Sequence, residues 1–301
     1  MQRADAISVQ QTLEAQGVSQ YKASLFGDAV RRLFQNKLAV AGLIVISTLI
    51  AVAVLADVLM PYSYRHIFFG HAQLPPSHRF VLGTDIVGRD TLSRLIYGAR
   101  VSMAIAFFTA LLIGVLGVSI GAVAGYYGGF VDSALMRIVD MIYTIPSLLL
   151  AILLMATLGK GLPQLCLAIG IVGWPTVARL VRGQFLSLRE KEYVKAARVA
   201  GTGDFKIVLR HLLPNSLTPI IVAVTFAIPQ AIFTEAALSF AGIGINPPTP
   251  SWGQMVGEYQ VYIHISPFIS LCPAAAIAIT MLAFTFFGDG LRDALDPRMN
   301  K

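Results

Sequence analysis

The amino-acid sequence predicts an all-α, polytopic membrane protein with six transmembrane helices. Its 301 residues are 56% hydrophobic and only 13% charged, with a mean hydropathy of +0.70, whereas average soluble domains carry roughly 25% charged residues. Six stretches reach the length of about 20 mostly apolar residues that a spanning helix needs. They cover residues 38–60, 101–124, 136–158, 162–178, 217–242 and 267–288.

The segment before the first span, residues 1–37, is expected to form a cytoplasmic tail. Within it, "LFGDAVRRLFQNK" places four apolar residues on one helical face with basic residues around them: Phe26, Val30, Leu33 and Phe34. This pattern predicts an interfacial helix on the inner leaflet, held by apolar burial and by anionic lipid. The alternative is an ordinary solvated segment that precedes the first span. Residues 1–24 are polar and mixed in charge, so no cleavable signal peptide is expected there.

The distribution of positive charge predicts the orientation of the spans. An even number of spans puts both termini on one side, and most of the 23 Lys and Arg residues then fall on that side, which favours cytoplasmic termini. The first extracytoplasmic loop, 61–100, opposes this rule with five arginines, which Asp85 and Asp90 partly balance. Its last residues show apolar helical spacing, so we expect an amphipathic helix at the outer surface, formed by Leu92, Leu95, Ile96 and Ala99.

Residues 101–288, with five spans, are expected to form the core domain, followed by a cytoplasmic tail at 289–301. The second span carries glycines every three or four residues, which predicts close helix packing in lipid: Gly114, Gly117, Gly121 and Gly125. Prolines interrupt the later spans and free backbone groups that need a packed neighbour or a water-lined path. They are Pro146, Pro175, Pro219 and Pro229.

The sequence shows no local motif for catalysis. We find no nucleophile with its base, carboxylate pair or metal-ligand cluster, and Cys166 and Cys272 lie alone inside apolar segments. "GTDIVGRD" has the glycine spacing of a phosphate-binding loop, but Arg89 and Asp90 replace the required Lys and Ser or Thr. The basic residues lack interleaved aromatic residues, so a nucleic-acid partner is not expected.

A polar segment at residues 189–215, "REKEYVKAARVAGTGDFKIVLRHLLPN", interrupts the apolar second half of the chain. Apolar residues recur at helical spacing on one face of it, namely Tyr193, Ala196, Ala197 and Ala200, while Lys191, Lys195 and Arg198 mark another face. Gly201 and Gly203 then end this short helix. Thr202 or Asp204 is expected to cap a second helix that stops before Pro214. The pair predicts a rigid knob suited to a groove of another protein, with an ordinary solvated loop as the alternative.

Several motifs in this sequence resemble one family of transport proteins. "EYVKAARVAG", followed by "VLRHLLPN", is similar to the EAA loop of permease subunits of ABC importers. Glu192, Ala196, Ala197 and Gly201 match the motif's acidic, small and glycine positions, and Leu213 and Pro214 match its closing pair. "LGTDIVGRDTLSRLIYGARVS", "GYYGGFVDSALMRIVD", "PPTPSWGQM" and "GDGLRDALDPR" resemble the C-type permease of dipeptide, oligopeptide and nickel importers.

This resemblance implies a transport subunit of the bacterial cytoplasmic membrane rather than an enzyme. The implied partners are a second homologous permease, two ABC ATPase subunits, an extracytoplasmic substrate-binding protein and membrane lipids. ATP and Mg²⁺ would be bound by the ATPases, so no cofactor is expected in this chain. The residues implied in coupling to the ATPase are Glu192, Tyr193, Ala196, Ala197, Ala200, Gly201 and Asp204. The cargo would be short peptides, with nickel as the alternative.

Glu235 is the clearest charged residue inside a predicted span, and such residues are functional candidates. It could face the translocation pathway, pair with an arginine near the outer surface, or accept backbone hydrogen bonds beside the Pro229 break. A proton-coupled secondary transporter would also suit an intramembrane carboxylate, but we see no internal inverted repeat. A membrane-embedded enzyme would need a local catalytic constellation, which is not visible.

Overall fold

The computed structural model describes residues 25–295, and the regular structure in this part of the chain is helical, apart from one isolated bridge between Thr84 and Asp90. A π turn, Val208–Leu212, and a 3₁₀ turn, Gln260–Tyr262, supplement the α-helices. The helices are α1 (Leu25–Gln35), α2 (Lys37–Val54), α3 (Ala56–Leu59), α4 (Thr91–Tyr127), α5 (Gly129–Thr144), α6 (Ser147–Leu158), α7 (Leu162–Leu188), α8 (Glu192–Val199), α9 (Asp204–Ile207), α10 (Leu213–Phe240), α11 (Trp252–Tyr259) and α12 (Pro267–Leu295).

Among the described residues, five helices are long and apolar enough to cross a membrane: α2, α4, α7, the continuous helix Asp204–Phe240, and α12. The helices α5 and α6 also qualify as a pair, but they are bent by 92°. Pro146 causes this bend, because a residue before proline disfavours the helical conformation and Ile145 is accordingly extended. The six predicted spans are obtained when this broken pair is counted as one.

The expected surface helix before the second span is a wrong prediction. Leu92, Leu95, Ile96 and Ala99 lie in the first turns of α4, which begins at Thr91 and continues unbroken for 37 residues. Asp90 starts this helix, because its Oδ2 accepts hydrogen bonds from the Ser93 backbone N–H at 2.8 Å and from the Ser93 hydroxyl at 2.6 Å. Ala99 is buried and Leu92, Leu95 and Ile96 are half-buried, so these residues form the start of a spanning helix rather than a separate surface helix.

The predicted close packing of the glycine-rich span is confirmed. A Cβ added at Gly117 would lie 2.6 Å from Val177 Cβ, and one at Gly125 would lie 2.6 Å from Phe185 Cβ, while Gly121 lies against the Ala178 carbonyl. The absence of side chains at these positions lets the backbone of α4 approach α7 closely along its length. These two helices form the centre of the bundle, and the other helices pack around them.

The N-terminal helices lie against the C-terminal helix α12. Asn36 separates α1 from α2 and caps α2, because its Oδ1 accepts hydrogen bonds from the backbone N–H groups of Leu38 and Ala39 at 3.1 and 3.2 Å. On α1, Val30 and Phe34 are exposed, so the interfacial placement of this helix stays a prediction. The rest of the N-terminal tail and the last residues of the C-terminal tail lie outside the described residues, as does the side chain of Phe26.

Candidate functional site

The polar segment at residues 189–215, which we call the knob, folds as two short helices joined by a glycine turn. Helix α8 ends at Val199, and Gly201 follows it with a φ of +74°, which favours glycine. The Thr202 backbone N–H donates to the Ala197 carbonyl at 3.0 Å, and the Gly201 N–H donates to the Arg198 carbonyl at 2.9 Å. The prediction that Gly201 ends this helix is therefore confirmed, whereas Gly203 has an ordinary φ of −64°. A Cβ at Gly201 would meet nothing within 4 Å, so the requirement for glycine is one of backbone conformation.

The inner face of the knob packs on the membrane-spanning helices. Val194, Ile207 and Leu212 are fully buried in one cluster with Val181 and Phe185 of α7. Ala197, three residues after Val194, is half-buried against the same cluster. The inward stripe of α8 is therefore set by Val194, a residue that the sequence analysis did not single out.

The outer face of the knob carries most of the predicted coupling residues. Those that are exposed are Glu192, Tyr193, Ala196, Ala200, Gly201 and Asp204. Two larger apolar residues beside them were missed by sequence reasoning: Val199 is 89% exposed and Phe205 is 77% exposed. Exposed apolar side chains next to one another and surrounded by polar residues make this face of the knob a candidate interaction surface.

Asp204 does not cap the second helix, and neither does Thr202, so this expectation was wrong. The N-cap position of α9 is Gly203, which makes no side-chain cap hydrogen bond. Asp204 Oδ1 instead accepts a hydrogen bond of 2.5 Å from the Tyr126 hydroxyl at the end of α4. Arg198 lies 5.3 Å from the centre of the Tyr126 ring, and Arg189 donates to the Gly125 and Tyr126 carbonyls at 3.2 and 3.3 Å. These contacts fasten the knob to α4.

The second helix of the knob does not stop before Pro214, which corrects the sequence-based boundary. It passes through the π turn Val208–Leu212, where the Leu213 N–H donates to the Val208 carbonyl five residues back, and continues into α10. The wider turn accommodates Pro214, which has no N–H to donate. The knob is therefore mechanically continuous with a membrane-spanning helix.

A cavity of about 480 Å³ lies between α4, the α5–α6 break, α7 and α10. Among the described residues that line it, the polar side chains are uncharged: Tyr143, Ser147, Thr176, Gln230 and Thr234. The Tyr143 and Thr176 hydroxyls are hydrogen-bonded at 2.7 Å. Pro146 and Pro175 also line the cavity. Of the predicted proline breaks, only the one at Pro146 interrupts a span, because Pro175, Pro219 and Pro229 lie inside continuous helices.

Glu235 does not line this cavity. Its side chain is almost fully buried, and its Oε1 accepts hydrogen bonds from the hydroxyls of Ser239 at 2.8 Å and Ser251 at 2.6 Å. Ser251 is the N-cap of α11, and Gly253 in the first turn of α11 packs against Glu235 and Ala236. Glu235 thus joins α10 to α11. Of the three roles considered for Glu235, this geometry fits the one in which the carboxylate accepts hydrogen bonds. The donors are serine hydroxyls and not the expected backbone N–H groups.

A buried ionic cluster at the far end of α4 was missed by sequence reasoning. Arg89 pairs with Asp85 at 2.6 Å and with Glu258 at 2.7 Å, and Arg94 pairs with Glu258 at 3.2 Å. The Tyr259 hydroxyl donates to Asp85 Oδ2 at 3.0 Å. Two of the loop arginines that oppose the charge rule are therefore neutralised inside the protein. The sequence signal that could have indicated the Asp85–Arg89 pair was their four-residue spacing with Gly88 between them. In the structure Gly88 has a φ of +89°.

The cluster alters the protonation of its members. Burial raises the pKa of the Tyr259 hydroxyl, which keeps it protonated as a donor to Asp85. Burial alone would lower the pKa of Arg89, but its carboxylate partners Asp85 and Glu258 raise it, so the guanidinium stays charged. Both effects keep the cluster in its paired state.

Comparison with known proteins identifies the family to which this architecture belongs. A profile of the binding-protein-dependent transport system inner membrane component matches residues 117–301. The chain belongs to this family. A second profile, the N-terminal TM domain of oligopeptide transport permease C, matches residues 24–76. The chain is therefore a membrane transport component of the OppC and DppC type rather than an enzyme.

Similar relatives include permeases that are named for different substrates. The oligopeptide transport system permease protein OppC of Bacillus subtilis is 41% identical over 96% of this chain and 94% of its own length. The dipeptide transport system permease protein DppC of the same organism is 43% identical over 96% and 90%. The glutathione transport system permease protein GsiD of Pectobacterium atrosepticum is 41% identical over 89% and 90%.

A solved structure shares the fold. A chain of the MetNI methionine ABC transporter in an inward-facing conformation superposes with a TM-score of 0.56 at 21% identity, covering 68% of this chain and 97% of that one. At this level of identity the likeness concerns the fold. It confirms the all-α fold predicted from the sequence.

Proposed function

We propose that this permease forms half of a translocation pathway for short peptides and couples it to cytoplasmic ATPase subunits through the knob. The observation that carries the proposal is that one continuous helix, Asp204–Phe240, begins in the knob and supplies Gln230 and Thr234 to the cavity. Motion imposed on the exposed face of the knob would therefore move a wall of the cavity. The termini and the knob would lie in the cytoplasm of a bacterium.

The partners follow from the family. A second, homologous permease would complete the pathway, two ABC ATPases would bind ATP and Mg²⁺, and an extracytoplasmic binding protein would deliver the solute. The surrounding lipids are the fourth class of contact, and neither nucleic acid nor a resident cofactor is expected. Exposed Tyr193, Ala196 and Ala200, with Val199 and Phe205, supply the apolar surface for the ATPase.

Transport requires only two arrangements of rigid helix bundles whose free energies differ by a few kcal/mol. ATP-driven closure of the ATPases would shift the two knobs, and the helices that continue from them would convert an inward-facing pathway to an outward-facing one. Ion pairs of α5 with α7 lie between the knob and the cavity: Asp132 with Arg182 at 2.5 Å, and Asp140 with Arg179 at 2.6 Å. They would keep these helices together during the change.

The cavity supports a peptide cargo without selecting one. Uncharged hydroxyl and amide groups suit a backbone rich in donors and acceptors, whereas a site for nickel would need His, Cys or carboxylate ligands. Among residues 25–295, no group of three such side chains could hold a metal ion. The relatives carry names for dipeptides, oligopeptides and glutathione. We infer that the binding protein chooses between such solutes.

Family membership decides against the proton-coupled alternative.

ATP hydrolysis by the complete complex in lipid nanodiscs tests the proposal. The binding protein is added alone, with di- to hexapeptides, with glutathione or with nickel. We expect stimulation that requires both the binding protein and a peptide. Stimulation by nickel and not by any peptide would contradict the peptide cargo, and failure of the chain to assemble with any ATPase would contradict the coupling role.

A further inference from the structure

A second cavity lies on the outside of the bundle, between α2 and α4, and has a volume of about 590 Å³. We call it the α2–α4 groove. Its walls are apolar and include Ile46, Ile50 and Val54 of α2 and Ala104 and Phe107 of α4. Phe284 of α12 and Ile228 of α10 close its floor. Ile50, Val54 and Phe107 are all about half exposed or more, so the groove opens on the outside of the bundle.

The groove has one charged residue, Arg100, at the end where α2 finishes. The Arg100 guanidinium donates to the Ala53 carbonyl at 2.8 Å, to the Val54 carbonyl at 2.9 Å and to Asp57 Oδ2 at 2.8 Å. Within residues 25–295 these bonds use three of the five N–H donors of a guanidinium. The side chain is 32% exposed, so its outer edge is accessible to a further acceptor.

The dimensions of the groove match one leaflet of a bilayer. Ile46 and Val54 are eight residues apart on α2, which corresponds to about 12 Å along the helix. One leaflet contributes about 15 Å of hydrocarbon, half of a core about 30 Å thick. In a bilayer the groove would therefore run from the level of the headgroups, at Arg100, towards the bilayer centre, at Phe284.

We propose that the α2–α4 groove binds one acyl chain of a phospholipid, whose phosphate contacts the outer edge of Arg100. Water would find no hydrogen-bond partners along the apolar walls, and an empty groove would forgo the dispersion contacts of its lining. A hydrocarbon chain with an anionic head satisfies both ends, because it offers methylenes to the walls and oxygen acceptors to the guanidinium. The bound lipid would fill the gap between the N-terminal span and the core.

Photolabelling of the full-length chain in nanodiscs tests this site. The probe is phosphatidylglycerol with a diazirine in one acyl chain, and a diacylglycerol with the same chain lacks the phosphate. We expect phosphatidylglycerol to label residues 46–54 or 100–107, and Ala104→Trp to reduce this labelling at least about fivefold because the indole fills the groove. Leu111→Trp is the matched control, since Leu111 is also exposed on α4 but does not line the groove.

Thermal unfolding and gel filtration establish that each variant is folded. If Ala104→Trp does not fold, Ile50→Trp at the rim provides the same obstruction. Equal labelling of the wild type and the filled variant, or labelling confined to residues outside the groove, would overturn the site. Equal labelling by the diacylglycerol would overturn the phosphate contact.

Discussion

The Tyr126 hydroxyl donates a hydrogen bond of 2.5 Å to Asp204 Oδ1, and these residues lie 78 positions apart in the chain. Tyr126 is at the end of the glycine-rich helix α4, whereas Asp204 opens the helix that leads into α10. One side-chain contact thus joins the two helices that hold the knob, directly after the glycine turn. The knob is held by α4 and by the helix that leads into α10, so it can transmit a displacement to both.

Substituting Tyr126→Phe should weaken this transmission. The change removes the hydroxyl and keeps the ring that packs near Arg198. A hydrogen bond to a charged group contributes about 1.5–3 kcal/mol, less where water reaches it, so we expect uptake to fall roughly fivefold. Peptide uptake by proteoliposomes measures this. Tyr127→Phe is the control, because Tyr127 is exposed and adjacent. Equal uptake by both variants would contradict a coupling role for the Tyr126 hydroxyl.

Gly201 should tolerate no side chain without loss of transport. Its φ of +74° costs a residue with a Cβ roughly 1–2 kcal/mol, so Gly201→Ala should reduce uptake, and Gly201→Asp or deletion of residues 196–204 should abolish it. All three should remain inserted in the membrane, because the spans are unchanged. Gly203→Ala is the matched control, since Gly203 has a φ of −64° and open space around its Cα. Normal transport by Gly201→Asp would contradict the proposal that the knob docks on the ATPase.

Glu235 gives a prediction that separates a hydrogen-bonding role from a role in the pathway. Glu235→Gln keeps an oxygen to accept from Ser239 and Ser251, so we expect uptake close to that of the wild type. Glu235→Leu leaves both buried hydroxyls without this acceptor, at a cost of about 1–3 kcal/mol, and should lower the unfolding temperature. Loss of uptake by a fully stable Glu235→Gln would show that the charge itself serves transport.

The buried ionic cluster should be essential for stability. Arg94 is completely buried and pairs with Glu258 and with the fully buried Asp85, so Arg94→Gln leaves the buried Asp85 carboxylate with fewer partners. Breaking a buried pair in this way costs about 3–5 kcal/mol. Thermal unfolding should show a lowered midpoint. Arg65→Gln, at an exposed arginine in the same loop, should have little effect. A similar midpoint for both variants would contradict the structural role of the cluster.

Features set by neighbouring residues were predictable from the sequence. Glycine spacing gave the close contact of α4 with α7, and the alternation of small, charged and glycine residues gave α8 and its end at Gly201. The resemblance in the EAA loop agrees with the family found by comparison.

Features that depend on distant contacts were not predictable. Arg89 and Glu258 are 169 residues apart, and only the fold shows that they are partners. The burial of Glu235 depends on Ser251, which lies in another helix. Pro214 was expected to end a helix because it has no N–H to donate. The helix continues through it because a π turn five residues long precedes it. Local propensity carries no signal for such compensation by neighbouring structure.

Co-purification of the ATPase subunits with this chain tests the central claim most directly. Val199 and Phe205 are exposed on the knob, so the double substitution Val199→Ala and Phe205→Ala removes apolar contact without disturbing the buried face. Phe69→Ala, at an equally exposed phenylalanine near the other end of the molecule, is the control. We predict that the ATPase subunits are lost from the double variant and retained by Phe69→Ala. Full retention by the double variant, together with normal ATP-driven uptake, would contradict the account.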